Sequence, residues 1–280
     1  MRSLTLVREA DASDDRIKEV YRDIKESLRV SLVDVMFQAY ASDPKFLDYA
    51  WRRLRPSMLA PPFIAQAQKL AEIADEGVES WQVSDHAAAL HSRNYADSDL
   101  RKLRETVELF HTVNPKLLII ANALRIALTG EPIGGSGVPH PPNHVDRDKL
   151  VRDFRGLHVP MSEERDAPLR VRTTFEDIQR ATDLSFVSTQ YRAMGAYPDW
   201  LDVFCTDLKQ LESNAARRDL SAAVTRGAQE AARQLPYPLL MRASDFPEMV
   251  RVNDVFCGLL PGLIVDIAVA RRSLGPEPTS

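Results

Sequence analysis

Two stretches of the chain, about 154 residues apart, have similar sequences, and this internal similarity limits the fold more than any other feature. Residues 24–56 align without a gap onto residues 178–210. The identical pairs are Ile24/Ile178, Ser31/Ser185, Val33/Val187, Ala39/Ala193, Pro44/Pro198, Leu47/Leu201, Asp48/Asp202 and Leu54/Leu208. Self-similarity at a fixed offset indicates a repeated structural unit. We therefore predict a pseudo-dimer, in which two copies of one unit pack about an approximate two-fold axis.

Apolar residues recur with the period of an α-helix in several parts of the chain. One buried face is predicted by the spacing of Ile17, Val20, Tyr21, Ile24 and Leu28. The same period returns in residues 107–128, with an interruption at Pro115, and again in residues 211–235 and 252–274. No stretch shows the sustained alternation and turn signals of β-hairpins. The chain is therefore predicted to be all-α, with roughly ten or more helices.

Composition and charge narrow the class of protein. Hydrophobic residues make up 44% of the chain and charged residues 27%, which is typical of a folded globular protein. The net charge of -4 does not indicate a nucleic-acid surface. The apolar stretches Leu117–Leu128 and Val255–Ala270 are short for a membrane span, and each contains a charged residue. With no signal-peptide pattern at the start, we expect a cytoplasmic protein without membrane contact, whose Cys205 and Cys257 are free, buried thiols.

Glycine and proline punctuate the middle of the chain. Residues 131–160 are predicted to be a linker between a first repeat, 1–130, and a second repeat, 161–280. A short helix is expected at Asp146 to Phe154. His140 and His144 have no evident third ligand, so no metal site is predicted. The GGSG sequence of residues 134–137 lacks the lysine and the following helix of a phosphate-binding loop.

A two-fold axis would bring equivalent segments of the two halves together. Residues 34–37 correspond to residues 188–191 at the offset of 154. Pockets are common at such interfaces. We expect these two segments to line one pocket from opposite sides.

Four sequence motifs carry a family resemblance that extends over roughly residues 15–275. They are LRVSLVDVMFQAYASDPKFLDYAWRRLRP, ELFHTVNPKLLIIANALRIAL, SFVSTQYRAMGAYPDW and VNDVFCGLLPGLI. They resemble the group I 2-haloacid dehalogenases. The resemblance implies an all-helical pair of repeats with the active site between them, and also a homodimer. It implies hydrolysis of 2-haloalkanoic acids of either configuration: an aspartate activates water, which displaces the halide with inversion. It implies no enzyme-bound ester, metal or organic cofactor.

Transfer of the family's site residues onto this chain leaves the catalytic position without an acid. The resemblance assigns a pocket aromatic to Phe37, a water-positioning asparagine to Asn114 and a small polar pocket residue to Ser188. The catalytic aspartate falls on Thr189, whose hydroxyl is not a general base at neutral pH. A register shift by one residue gives Gln190, which is no better.

A second departure suggests how the missing acid is replaced. Asp34 stands where the family has a bulky apolar residue, and it corresponds to Ser188 across the predicted two-fold axis. We hypothesise that Asp34 is the base, with Asn114 orienting water or substrate. Thr189 and Tyr191 are then expected beside Phe37 and Ser188 as substrate-binding residues. The nearest other acid, Asp183, is expected on the preceding turn.

Each of these residues also has a purely structural interpretation. Asn114 before Pro115 is typical of a helix N-cap followed by proline at the first helical position. Asp34 and Ser188 each follow a serine by three residues, which suits helix caps in both halves. Phe37 and Tyr191 lie on an apolar helical stripe and suit the core.

Three functions fit this pattern. The first is hydrolytic dehalogenation of a small carboxylate or carbonyl compound. The second is a diverged enzyme that catalyses a cofactor-free elimination, hydration or cyclisation in a biosynthetic pathway. The third is a small-molecule-binding protein that has lost the base. A base in an apolar crevice should have a raised pKa, whereas a capping aspartate should have a lowered one.

Overall fold

The structure is a computed structural model that describes residues 2–135, 151–212 and 215–276. Within these residues it contains eleven α-helices, two short 3-10 turns and three isolated β-bridges, and no strand. The predicted all-α class is therefore confirmed. The helices are α1 Asp15–Leu28, α2 Val35–Tyr40, α3 Pro44–Met58, α4 Pro61–Val78, α5 His86–His91, α6 Asp97–Ala127, α7 Leu169–Thr182, α8 Thr189–Gly195, α9 Pro198–Glu212, α10 Ala215–Arg233 and α11 Pro247–Leu274.

The helix bounds follow the offset found in the sequence. Helices α1 and α7 are each 14 residues long and begin 154 residues apart, and α3 and α9, each 15 residues long, have the same offset. Arg29 and Asp183 end α1 and α7 in the left-handed conformation, with φ of 57° and 55°. These correspondences accord with the predicted repeat. Its boundaries at residues 130 and 160 stay a prediction.

Four long helices, α4, α6, α10 and α11, form the centre of the molecule, and α6 and α11 make the most extensive contact. They run antiparallel: Arg104 of α6 donates to the Leu274 carbonyl at one end, and Arg125 pairs with Asp254 near the other. Every residue is buried in 113–124 of α6 and in 263–270 of α11. Helices that are apolar on all sides require such an environment. The two apolar stretches are therefore core helices, as predicted.

By length and composition alone, α11 could cross a membrane. Of its most apolar 18-residue window, 72% is buried inside the protein. Packing against α6 and its other neighbours accounts for this apolar character.

Two predictions of local structure are wrong. Pro115 does not interrupt the helical pattern, because α6 continues through it. Its ring removes one backbone donor and crowds the preceding turn, but burial on all sides holds the helix together. Residues 151–154 are not helical: the Phe154 amide donates to the Arg29 carbonyl at 2.9 Å, and Phe154 bridges Val30. The remainder of that predicted helix, with half of the predicted linker and with His140 and His144, lies outside the described residues.

The N-terminal segment also crosses between the halves. Arg2 bridges Leu184, with the Arg2 amide donating to the Asp183 carbonyl at 2.8 Å. At the end of α1, the Phe154 amide likewise donates to the Arg29 carbonyl, and Phe154 lies in the segment that leads into the second half of the chain. Each half is therefore tied to the other by backbone hydrogen bonds at the ends of α1 and α7.

Candidate active site

Helices α2 and α8 begin beside each other in the core, and each has a polar side chain at its first turn. Asp34 is the N-cap of α2, and its Oδ1 accepts from the Met36 amide at 2.9 Å. Ser188 is the N-cap of α8, and its Oγ accepts from the Tyr191 amide at 3.5 Å. The cap interpretation is therefore confirmed for both residues. It does not exclude a chemical role, because a carboxylate has lone pairs to spare.

Thr189 joins the two halves at this point. Its Oγ1 accepts from the Val35 amide at 2.9 Å, and its side chain also hydrogen-bonds Asp34. An ionised carboxylate can only accept, so the Thr189 hydroxyl donates to Asp34. The residue onto which the resemblance places the family's aspartate is thus hydrogen-bonded to Asp34.

The environment of Asp34 raises its pKa above the ordinary value. Its exposed fraction is 8%. Burial raises the pKa of Asp34, and this effect outweighs the hydrogen bonds from Met36 and Thr189 and the charge of Arg192, which lower it. By contrast, the pKa of the exposed capping residue Asp14 is lowered, chiefly by the amide of Arg16. Asp34 therefore caps its helix and also has the raised pKa expected of a buried base.

Arg192 of α8 is a buried cation close enough to Asp34 to influence its pKa, and the sequence interpretation missed it. Its exposed fraction is 6%. Its guanidinium pairs with Glu163, which also pairs with Arg8. The Nε atom of Arg192 is buried without a hydrogen-bond partner. An arginine directly after Tyr191, on a helix predicted to pack in the core, was the available signal, since a charge on a buried helix requires a partner.

Asn114 lies inside α6, so its interpretation as an N-cap is wrong. Its side-chain amide donates to Gln190 Oε1 at 2.7 Å. Gln190 Nε2 and, on α2, Gln38 Oε1 are buried without partners. Buried polar atoms in native proteins are nearly always hydrogen-bonded. With Arg192 Nε, these atoms on α2 and α8 are suited to a polar ligand.

Phe37 and Tyr191 have different surroundings. Phe37 is buried edge-on against Trp51, with ring centroids 5.8 Å apart. The Tyr191 hydroxyl donates to Asp266 at 2.7 Å, and Arg217 pairs with the same carboxylate at 2.6 Å.

Tyr191 also lines a cleft of about 1170 Å³ in the second half of the chain. Of the other sequence-predicted site residues, Asp34, Phe37, Asn114, Ser188 and Thr189, none lines this cleft. The structure thus brings Asp34 and Thr189 into contact and joins Asn114 to the neighbouring Gln190, but Tyr191 faces a separate space.

The chemistry available at Asp34 is that of an acid or base. Among the described residues, no group of three or more histidine, cysteine, aspartate or glutamate side chains could hold a metal ion. Cys205 and Cys257 are free, as predicted; Cys257 is buried and Cys205 is half-buried. Burial raises the pKa of each thiol to about 12, which disfavours the nucleophilic thiolate.

An all-helical fold with a buried carboxylate between α2 and α8 defines a candidate enzyme that uses acid–base chemistry. Residues 31–191 match the family model described as Halocarboxylic acid dehydrogenase DehI, so the chain belongs to this family. A (R)-2-haloacid dehalogenase of Pseudomonas putida is 24% identical, over 91% of this chain and 88% of the relative. A configuration-inverting 2-haloacid dehalogenase of Alcaligenes xylosoxydans xylosoxydans is 23% identical, over 85% and 80%.

A solved structure has the same fold. It is a D-2-haloacid dehalogenase mutant in complex with D-2-CPA, 24% identical in sequence, with a TM-score of 0.88. The match covers 97% of this chain and 96% of that one.

Proposed function

We propose that this protein is a 2-haloacid dehalogenase whose general base is Asp34. The observation that carries the proposal is the buried Asp34 carboxylate with a raised pKa, hydrogen-bonded to Thr189 at the family's aspartate position. The activities of the named relatives support the reaction class. No comparable observation favours an elimination, a cyclisation or a purely binding role.

In the proposed reaction, Asp34 accepts a proton from water as the water oxygen attacks C2 of the substrate. The carbon–halogen bond breaks, halide leaves with the bonding electron pair, and a 2-hydroxy acid forms. Asp34 then releases its proton to solvent. A single displacement inverts the configuration at C2 and requires no enzyme-bound ester. A positioned base contributes roughly 10²- to 10⁴-fold to such a step.

The neighbouring groups have complementary roles in this proposal. Asn114 and Gln190 orient the water, because their amides form one hydrogen-bonded pair that still has an unpartnered donor at Gln190 Nε2. Arg192, with its unpartnered Nε, attracts the substrate carboxylate. Ser188 and Phe37 border the site. Thr189 holds the Asp34 carboxylate in place and is a positioning residue.

The test is halide release from D- and L-2-chloropropionate and from bromoacetate by the wild type and by Asp34→Asn. We expect the wild type to release halide and Asp34→Asn to lose roughly 100-fold or more. The matched control is Asp43→Asn, because Asp43 caps α3 through the amides of Lys45 and Phe46 in the same way. Asparagine is a good N-cap, so both variants should fold.

The outcomes separate the alternatives. Halide release that persists in Asp34→Asn would leave Asp34 as a cap only and refute its role as the base. A wild type that releases no halide from any of the three substrates would refute the dehalogenase proposal. Product configuration, measured by chiral chromatography, tests the single displacement.

The proposal also includes a homodimer and a cytoplasmic location, both implied by the family resemblance. Light scattering coupled to size-exclusion chromatography tests the first, because a monomer has a mass of 31.5 kDa. Cell fractionation tests the second.

A further inference from the structure

The cleft beside Tyr191 has a filled counterpart in the first half of the chain. Its lining includes Asp177 of α7, Tyr191 of α8, and Cys205 and Lys209 of α9. At the offset of 154 residues these positions correspond to Asp23, Phe37, Trp51 and Arg55. The two sets can therefore be compared one contact at a time.

In the first half, the indole ring of Trp51 occupies this position. Its ring lies edge-on to Phe37, with centroids 5.8 Å apart and an interplanar angle of 88°. Its Nε1 donates to Asp23 Oδ2 at 2.7 Å, and Arg55 pairs with the same carboxylate at 2.6 Å. The first half thus shows a complete site for an indole group, occupied by its own side chain.

The second half has the equivalent acid, cation and aromatic ring, but no tryptophan. Lys209 pairs with Asp177 at 3.5 Å, as Arg55 does with Asp23. Tyr191 supplies the aromatic ring in place of Phe37. Cys205 replaces Trp51, and the cleft of about 1170 Å³ lies next to it.

The carboxylate of Asp177 is accessible to a new donor. Its second partner is Arg180, whose side chain is 69% exposed. Exposed ion pairs of this kind contribute little to stability. An N–H group entering the cleft can therefore replace Arg180 at small cost. The lining is mixed, with apolar side chains from Ile178, Leu184, Leu208, Leu259 and Leu263 and charged side chains that include Arg217 and Asp266.

We propose that this cleft binds a planar aromatic compound of indole size that carries an N–H donor. The ring packs edge-on against Tyr191, as Trp51 packs against Phe37, and the N–H group bonds Asp177. Because the cleft exceeds an indole in volume, the ring can carry a substituent. The site is independent of dehalogenation, since neither Asp34 nor Thr189 lines it.

The probe is indole itself, titrated into the full-length protein and followed by calorimetry and by NMR shifts. We expect saturable binding to the wild type and to the matched control Cys205→Ala, which keeps the cleft open. Cys205→Trp should abolish binding, because it reproduces the occupied site of the first half. 1-Methylindole, which lacks the N–H donor, should bind roughly tenfold more weakly. This difference should vanish in Asp177→Ala.

Two results would overturn the proposal: no saturable binding by the wild type, or equal binding by Cys205→Trp. If Cys205→Trp does not fold, Gly262→Leu is the second blocking variant. Gly262 lines the cleft, and a Cβ atom there would meet only Arg217 Nη2, at 3.8 Å. Undiminished indole binding by a folded Gly262→Leu would equally reject this location.

Discussion

The hydroxyl of Thr189 satisfies two buried groups that would otherwise lose a partner, the Val35 amide and the Asp34 carboxylate. Thr189→Val keeps the shape but leaves the amide unpaired, which costs about 1–3 kcal/mol of unfolding free energy. The variant also removes an influence that lowers the pKa of Asp34, so that pKa rises further. The acid limb of the pH–rate profile, where the base becomes protonated, should therefore move to higher pH.

Urea unfolding and a pH–rate profile measure the two effects of Thr189→Val, and Thr189→Ser is the matched control. Serine retains the hydroxyl and should restore both the stability and the profile. If Thr189→Val loses stability but keeps the wild-type profile, Thr189 does not act on the base.

Asp34 should also affect how stability depends on pH. Its folded-state pKa lies above the ordinary value of 3.8, so its stabilising contribution is complete below that pH and is lost as pH rises through the folded pKa. Asp34→Asn cannot ionise and still caps α2. We expect the stability of Asp34→Asn relative to the wild type to increase with pH across this window.

Asp14→Asn is the control with the opposite sign, because the pKa of Asp14 is lowered. The wild type should gain stability over Asp14→Asn as pH rises through the folded pKa of Asp14 to 3.8. Thermal unfolding of the wild type and of both variants over this pH range measures the two predicted changes in stability. A parallel response of the two variants would contradict the assigned environments.

For single residues, the sequence predicts which side chains cap the helices of the site, but it does not predict the hydrogen bonds between those side chains. The caps at Asp34 and Ser188 follow from serine spacing, which is local chemistry. The bond between Thr189 and Asp34 depends on how α2 and α8 meet across the two halves, and no local pattern contains that register. Arg192 was missed for the same reason, since its partner Glu163 lies outside the helix, 29 residues earlier in the chain.

In α6, tertiary packing overrides local sequence signals for a helix start. Asn114 and Pro115 read as a helix start, and elsewhere such signals hold: Asp43 caps α3 with Pro44 at its first position. Inside α6 the neighbouring helices bury residues 113–124 on every side. Burial of that apolar surface outweighs the roughly 3 kcal/mol penalty of an internal proline. Apolar periodicity predicted the helix correctly, whereas cap chemistry misplaced its start.

Helix α5 contacts α9 through a hydrogen bond of the buried His86 side chain. His86 Nε2 lies 3.1 Å from Asp207, whose carboxylate also accepts from the Ser84 amide at 3.0 Å. Burial lowers the pKa of His86 below 6.5, against the opposing charges of Asp207 and Asp85. The neutral imidazole therefore stabilises the fold above pH 6.5, and this contribution is lost as pH falls towards the folded pKa.

Thermal unfolding between roughly pH 8 and pH 5 tests the contribution of His86. The wild type should lose stability on acidification, and His86→Gln should lose less of it. The control is His91→Gln on the exposed end of the same helix. A wild type and His86→Gln with equal pH dependence would show that His86 is not the titrating group.

Over the whole molecule, the two halves depend on each other in two ways. Helices α6 and α11 bury one another along most of their lengths. The N-terminal segment pairs with residues 183–185 of the second half, and Phe154 pairs with the end of α1. The sequence predicted the all-helical fold and its two buried apolar helices. It did not predict the crossed segments, because backbone hydrogen bonds leave no side-chain pattern to detect.

This interdependence predicts how separated halves behave. Fragments 1–130 and 131–280, expressed alone, would each expose the mostly apolar, fully buried stretch of α6 or α11, and exposed patches of that kind promote association and aggregation. We expect each fragment alone to lack a cooperative thermal transition, and the mixed fragments to recover one together with the helical circular dichroism of the intact chain. Arg104→Ala, which removes the contact to the Leu274 carbonyl, should weaken the recovered complex. A fragment that unfolds cooperatively by itself would instead define an independent domain, and the pseudo-dimer would then be two domains joined by a linker.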